Sequence, residues 1–239
     1  EGNLVREGWE SFVGQYPIPN RHGMTVGELA KLFREHFGIQ CDLTIVPMKG
    51  WQRSMWYDET GLTWVAPSPN MPTLSTATVY PGMCLVEGTH LSEGRGTTLP
   101  FELCGAPYID PRQLVEQLQK ENLPGVFARP CFFKPGFQKW AGETCGGIQL
   151  HVTDREKFKP FLTGLAVLRA IARLYPDRFA WRTEPYEFVS DRLAIDLLYG
   201  NPDWREKLVG GQPSLLAIEE TWHDELETFK KIRQQFLLY

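Results

Sequence analysis

Two glutamates six residues apart, Glu87 and Glu93, with Arg95 two positions further on, are the residues of this chain best suited to do chemistry. A carboxyl group that can give or take a proton, a second carboxylate close by and a fixed cation are the parts needed for acid–base work on a polar substrate. They sit in the stretch from Trp64 to Asp110, which packs Pro-Ser-Pro-Asn, Glu-Gly-Thr-His and Ser-Glu-Gly-Arg-Gly into one short region. So much Gly, Pro and short polar residue makes a poor core but good loops, able to hold side chains and backbone N–H groups around a ligand. The glycines beside Glu93 let the backbone approach a ligand closely. Each group also has a plainer use. Glu87 can bond to loop N–H groups, and Glu93 with Arg95 can form an ion pair that clamps the loop.

The surrounding pattern predicts the elements that must position these side chains. Residues 1–24 read as a loop-rich leading segment ending in YPIPNRHG. Thr25 and Glu28 give a capping-box pattern. Val26, Leu29, Ala30, Phe33 and Phe37 follow at helical spacing, and Gly38 ends the helix. CDLTIVPM (41–48) reads as a short apolar strand, so helix and strand together suggest an α/β unit. Residues 73–80 read as one or two helical turns stopped by Pro81. MCLVEG (83–88) reads as a buried strand, which would put Glu87 at a strand end, where open sheets bind ligands. Residues 110–121 read as a helix, and 126–133 and 146–152 as strands. From about 156 the pattern turns helical. Phe158, Phe161, Leu165, Leu168, Ala172 and Tyr175 share one face, 186–199 read as helix, and the tail from Ser214 carries a stripe of Leu215, Ile218, Trp222, Leu226, Phe229 and Phe236. The expected fold is α+β: a small mixed sheet with flanking helices in 25–155, holding the loop cluster 64–110, followed by a mostly helical region in 156–239.

Composition narrows the function classes. The net charge is −4 with no long basic run, which argues against nucleic acid or an anionic membrane surface as partner. No apolar run approaches the roughly 20 residues needed to span a bilayer. The five cysteines (41, 84, 104, 131, 145) show no CxxC spacing, so no metal site and no cofactor is expected. Cys84 and Cys104 fit small buried hydrophobes. A Cys131–Cys145 bridge is the weaker alternative to free thiols. GETCGG (142–147) lacks the nucleotide-binding glycine patterns, and neither GxSxG nor HExxH occurs. His22 before the first helix suits a structural role. His151 suits core or sheet surface, and His36 and His223 a solvated helix face. Trp51, Trp56 and Trp64 either stack on a sugar or pack around the long loop.

Longer motifs carry a resemblance. RHGMTVGELA, WVAPSPNMPT, VYPGMCLVEGT, the SEGRGTTLPFE block with CGAPYID, and KWAGETCGGIQLHVTD resemble, in order and over essentially the whole chain, the DUF1343 family, whose characterised members are exo-acting β-N-acetylmuramidases of the NamZ type. The resemblance implies a glycoside hydrolase that releases terminal N-acetylmuramic acid from peptidoglycan fragments in cell-wall turnover, in an exported setting, periplasmic or extracellular. Read from the residues themselves, Glu93 and Glu87 are the candidate catalytic carboxylates and Asn70, His90, Ser92 and Arg95 the candidate substrate-binding residues. Asn70 and His90 would bond sugar hydroxyls or the N-acetyl group, and Arg95 would read the lactyl carboxylate that distinguishes muramic acid from glucosamine. Family members usually carry a Rossmann-like half before the YPIP…HGMT segment, with a Pro-Glu-His-Gly block whose glutamate is a leading catalytic candidate. No such block occurs here. The expectation is therefore that 1–24 leads in from a missing N-terminal half, supplied in cis or trans, and that this chain holds part of the active site. The alternative is a non-catalytic carbohydrate-binding or assembly module.

Overall fold

Thr25 starts the first helix as its sequence dictates. In a computed structural model, which describes residues 1–209 and 214–239, α1 spans Val26–Glu35. Both halves of the capping box form: the Thr25 side chain accepts from the Glu28 N–H, and Glu28 accepts from the Thr25 N–H at 2.8 Å. The inward residue is Leu32, fully buried, while Val26 points to solvent. Leu29, Phe33 and Phe37 pack around Leu32 together with Phe229 and Phe236 of the C-terminal tail. So α1 belongs to a small second core and not to an α/β unit. The strand expected over 41–48 does not form. The segment carries no regular structure and is largely exposed, because an apolar run becomes a strand only where a neighbouring strand takes up its hydrogen bonds.

The second helix, α2, spans Leu74–Met83 from the cap Thr73 and includes Pro81. It then tightens without a break into a 3₁₀ turn at Cys84–Gly88, which replaces the strand expected over 83–88. Every residue of that turn is buried, so the run shows no periodicity, and a short aperiodic apolar run does not distinguish helix from strand. What carries the chain past Pro81 is tertiary packing. Gly82 faces Gly164 of α4 (Pro160–Leu174) so closely that a Cβ on Gly82 would lie 1.7 Å from the Pro160 carbonyl oxygen.

The sheet has three strands, β1 (Leu103–Ala106), β2 (Val126–Phe133) and β3 (Cys145–Val152), in the order β1-β3-β2. Both pairings are antiparallel, so the fold is α+β as expected, with an antiparallel sheet in place of a mixed one. Cys104, Ala106, Ile148 and Leu150 face the main core. Pro130 is tolerated because β2 is an edge strand. All five cysteines are free thiols. Cys131 lies opposite Gly147 and Cys145 opposite Phe133, so the suggested bridge is absent. Helix α3 (Pro111–Gln119), capped by Asp110, covers the sheet with Leu114, Val115 and Leu118.

α4 is buried on all sides from Pro160 to Ala172, the mark of a central helix. Around it lie α2, α3, α6 (Trp204–Val209) and α7 (Leu215–Glu220). The helix expected over 186–199 shrinks to α5 (Ala194–Tyr199), because Tyr186 and Val189 close a tight turn instead. The tail stripe turns inward as expected, with Leu226 only partly buried, but on two helices, α7 and α8 (His223–Gln234), with Trp222 at their junction and Phe236 just past the end of α8. Residues 210–213, inside the expected helical region, lie outside the described residues. No helix among those described is long and apolar enough to cross a membrane.

Candidate active site

The turn that ends α2 delivers Glu87. Gly88 after it presses against Ile195 of α5, and Thr89 closes the turn by donating to the Val86 carbonyl at 2.8 Å. The chain then pairs Thr89 with Trp181 and Ser92 with Gly105 of β1, which pins both ends of the next loop. Within it, Gly94 and Gly96 take left-handed backbone (φ 75° and 83°), which brings Glu93 and Arg95 back toward Glu87. The Gly96 carbonyl accepts from the Gly136 N–H at 2.8 Å, tying the loop to the segment that carries Lys139.

The two carboxylates meet on one guanidinium. Arg95 Nη2 donates to Glu87 Oε1 at 3.1 Å and Nη1 to Glu93 Oε1 at 3.2 Å. Lys139 Nζ donates to Glu93 Oε2 at 3.0 Å and also to the carbonyls of Val86 and Glu87. Tyr186 donates its hydroxyl to Glu87 Oε2 at 3.2 Å. The Glu87 and Glu93 side chains are only 9% and 2% exposed, against 26% for Arg95 and 21% for Lys139. The accessible face of the cluster is therefore cationic, with the carboxylates behind it.

The environments of the two glutamates differ. Glu93 places a cation on each oxygen. Glu87 shares Arg95 and has a neutral phenol on its other oxygen, so protonating it breaks no second ion pair. Burial pushes the Glu87 carboxyl above its usual value, with Arg95 opposing and Glu93 adding to the rise. Burial also works against the charge of Arg95, but the two carboxylates outweigh it and hold its pKa above the usual value. A carboxyl shifted by desolvation and by specific charged partners, beside a fixed carboxylate, is the arrangement that marks acid–base sites.

The remaining candidates fall around this cluster or apart from it. Ser92 is buried, and its hydroxyl accepts from the Gly94 N–H at 3.2 Å. His90 is half-buried. Its backbone N–H reaches Ala180 and its carbonyl accepts from the Trp140 indole at 2.7 Å. Asn70 stands in the Ser68–Asn70 turn, its N–H on Ser68 Oγ, and no contact joins it to the cluster. Trp56 bonds Glu156, Trp64 bonds the Met71 carbonyl and Trp51 meets Tyr239 edge-on, so each packs around the 49–72 loop. His22 accepts from the Met24 N–H, as a structural residue would, and His36, His151 and His223 are exposed. Sequence reasoning missed Lys139 and Tyr186. Lys139 lies in the KWAGETCGG block, which alone flags it. Nothing local flags Tyr186, which reaches Glu87 across 99 residues. Among the described residues, no three His, Cys, Asp or Glu side chains are grouped to hold a metal ion.

An α+β chain with a desolvated carboxyl, a clamped carboxylate and a cationic outer face has the groups that acid–base enzymes use. Residues 78–239 match the family model described as exo-β-N-acetylmuramidase NamZ, C-terminal, and residues 1–75 match its N-terminal counterpart. The chain belongs to this family. It is 48% identical over 239 residues to the peptidoglycan β-N-acetylmuramidase NamZ of Bacillus subtilis (strain 168), covering all of this chain and 56% of that relative. Two crystal structures of DUF1343 family proteins from Bacteroides fragilis NCTC 9343 match the whole chain and 62% of their own lengths. One gives a TM-score of 0.88 at 32% identity, the other 0.73 at 28%. The chain thus spans about half to three-fifths of the relatives it matches.

Proposed function

We propose that the protein acts as an exo-β-N-acetylmuramidase on peptidoglycan-derived muropeptides or disaccharides, releasing terminal N-acetylmuramic acid. The observation that carries this reading is the 48% identity to the Bacillus subtilis muramidase across every part of this chain. The site chemistry supports it. Glu87 serves as the general acid that protonates the leaving oxygen, because its carboxyl is desolvated and its second partner is neutral. Glu93 is the partner carboxylate, held on one oxygen by Arg95 and on the other by Lys139, placed to support the positive charge that develops on the sugar ring. Arg95, on the open side, binds the lactyl carboxylate. His90, half-buried, would contact sugar hydroxyls or the N-acetyl group. The substrate carries an exported location with it, periplasmic or extracellular.

The test is release of N-acetylmuramic acid from a chromogenic muramide by the protein and by Glu87→Gln. Turnover that falls at least ~10²-fold in the variant, with the fold intact, supports the acid role. A non-catalytic carbohydrate-binding role is the second reading, favoured by the fact that both oxygens of Glu93 are already held by cations. Muramide binding without any turnover would select it.

A further inference from the structure

Among the described residues, six non-glycine residues hold left-handed backbone, and five of them border the carboxylate cluster. Phe101 lies under the Arg95 guanidinium, 5.1 Å from centroid to Cζ. Gln138 and Trp140 flank Lys139. Glu187 (φ 44°) and Phe188 (φ 70°) follow Tyr186. Such residues carry strain that persists only where the surrounding structure imposes it, and they gather where geometry serves a function.

The Tyr186–Val189 turn shows this most clearly. Tyr186 and Val189 exchange both backbone hydrogen bonds at 2.9 Å across two left-handed residues. This is the hairpin geometry that normally selects Asn-Gly, and here it is built from Glu-Phe. Phe188 is 94% exposed, so burial of its own ring does not hold the turn. What the turn holds is Tyr186. The ring is buried against Trp9, Val189 and Leu197, with the Arg182 guanidinium 5.3 Å over its face, and the hydroxyl emerges at Glu87 Oε2.

We propose that Tyr186 is the positioning residue of Glu87: its hydroxyl, aimed by the strained Glu187–Phe188 turn, fixes the orientation of that carboxyl and its hold on a proton. The link to catalysis rests on the reading of Glu87 as the acid; the control of its proton does not. A neutral phenol that donates to a carboxylate favours the charged form, so Tyr186 works alongside Arg95 against the effect of burial. Tyr186 itself stays neutral, because burial and the adjacent Glu87 push its pKa far up. The other groups facing Glu87 are few. Arg95 and Glu93 come from its own loop. Tyr80 and Cys84 come from the end of α2, each pushed up to about 12 by burial and so neutral. Lys139 bonds the Glu87 peptide carbonyl. Of the helices packed on the turn, α5 brings Asp196, bonded to Arg205, and Tyr199, pushed far up by burial. The arginines of α4, Arg169 and Arg173, lie toward Glu121 instead.

The experiment is a carbon-13 titration of the glutamate carboxyls in the whole 239-residue chain, with Glu87 assigned by its loss in Glu87→Gln. Tyr186→Phe keeps the ring and its packing. It is expected to raise the Glu87 pKa by about half to one unit, the worth of one neutral hydrogen bond. 3,5-Difluorotyrosine at position 186, a stronger donor, is expected to move it the other way, and it serves as the test if Tyr186→Phe does not fold. A Glu87 titration unmoved by either change overturns the proposal. Where muramide hydrolysis is followed, the alkaline limb of kcat shifts up with the Glu87 pKa in Tyr186→Phe. A moved titration with full activity in Glu87→Gln leaves the positioning role standing and overturns the acid role of Glu87 instead.

Discussion

Glu87 and Glu93 lie six residues apart in the chain and meet on the two terminal nitrogens of one guanidinium, at 3.1 and 3.2 Å from Arg95. That convergence needs the 3₁₀ turn before Gly88 and the two left-handed glycines after Glu93. An extended chain would have carried the two carboxyls roughly 20 Å apart.

Because the two glutamates are held differently, their amide variants should fail differently. Glu87→Gln is expected to keep its melting temperature within about 2 °C while muramide turnover falls at least ~10²-fold. Glu93→Gln leaves Arg95 and Lys139 short of a buried counter-charge and is expected to cost about 3 kcal/mol, a fall of roughly 6–12 °C in Tm. Calorimetry alongside the activity assay checks both. Equal loss of Tm in the two variants would remove the distinction between acid and anchor.

Arg95→Lys should separate substrates. A lysine offers a point charge where Arg95 reaches both glutamates and, on its open side, a ligand carboxylate. The KM for muramides is expected to rise about tenfold or more, with a smaller effect on the matching glucosaminides that lack the lactyl group. Equal losses on the two sugars would make Arg95 a clamp for Glu87 and Glu93 and nothing more.

The contact of Gly82 with Gly164 sets where the Glu87 turn begins. Gly82→Ala would place a methyl group 1.7 Å from the Pro160 carbonyl oxygen, so α2 and α4 must separate. A loss of about 3 kcal/mol is expected, with a drop in activity because the turn shifts. Gly136→Ala, whose Cβ would meet its nearest neighbour at an ordinary 3.4 Å, should change stability by no more than about 0.5 kcal/mol. Similar melting temperatures for the two variants would show that the helices do not depend on this contact.

Glu28 gives a pH test of the second core. Burial would raise its pKa, but the N–H groups of Leu238 and Thr25 and the Arg53 guanidinium outweigh that and hold it below the usual value. A depressed carboxyl contributes stability above its unfolded pKa near 4.5 and loses it as pH falls through the folded value. Glu28→Gln is therefore expected to lower Tm at pH 7 by roughly 5–10 °C and to flatten the fall in Tm below about pH 4.5. Parallel Tm-versus-pH curves for wild type and variant would sink the argument.

The features legible in the sequence are those made by neighbours in the chain. The Thr25–Glu28 capping box, the Asp110–Pro111 start of α3, strands β2 and β3 and the stripe of the C-terminal helices follow from hydrogen bonds and side-chain periods spanning a few residues. The grouping of Glu87, Glu93 and Arg95 was legible too, because glycines at 88, 94 and 96 mark where the backbone can turn back on itself. Tertiary structure decided the rest. MCLVEG became a 3₁₀ turn because Gly82 locks α2 against α4, and CDLTIVPM stayed unpaired because no strand among the described residues lies beside it. Residues 186–189 became a strained turn that aims Tyr186 at Glu87, and Lys139 reached Glu93 from 46 residues away. An apolar run is compatible with helix or strand until a partner surface chooses, and the partners of a buried carboxylate come from wherever the chain folds back. Those choices depend on contacts between distant residues, for which local spacing holds no signal.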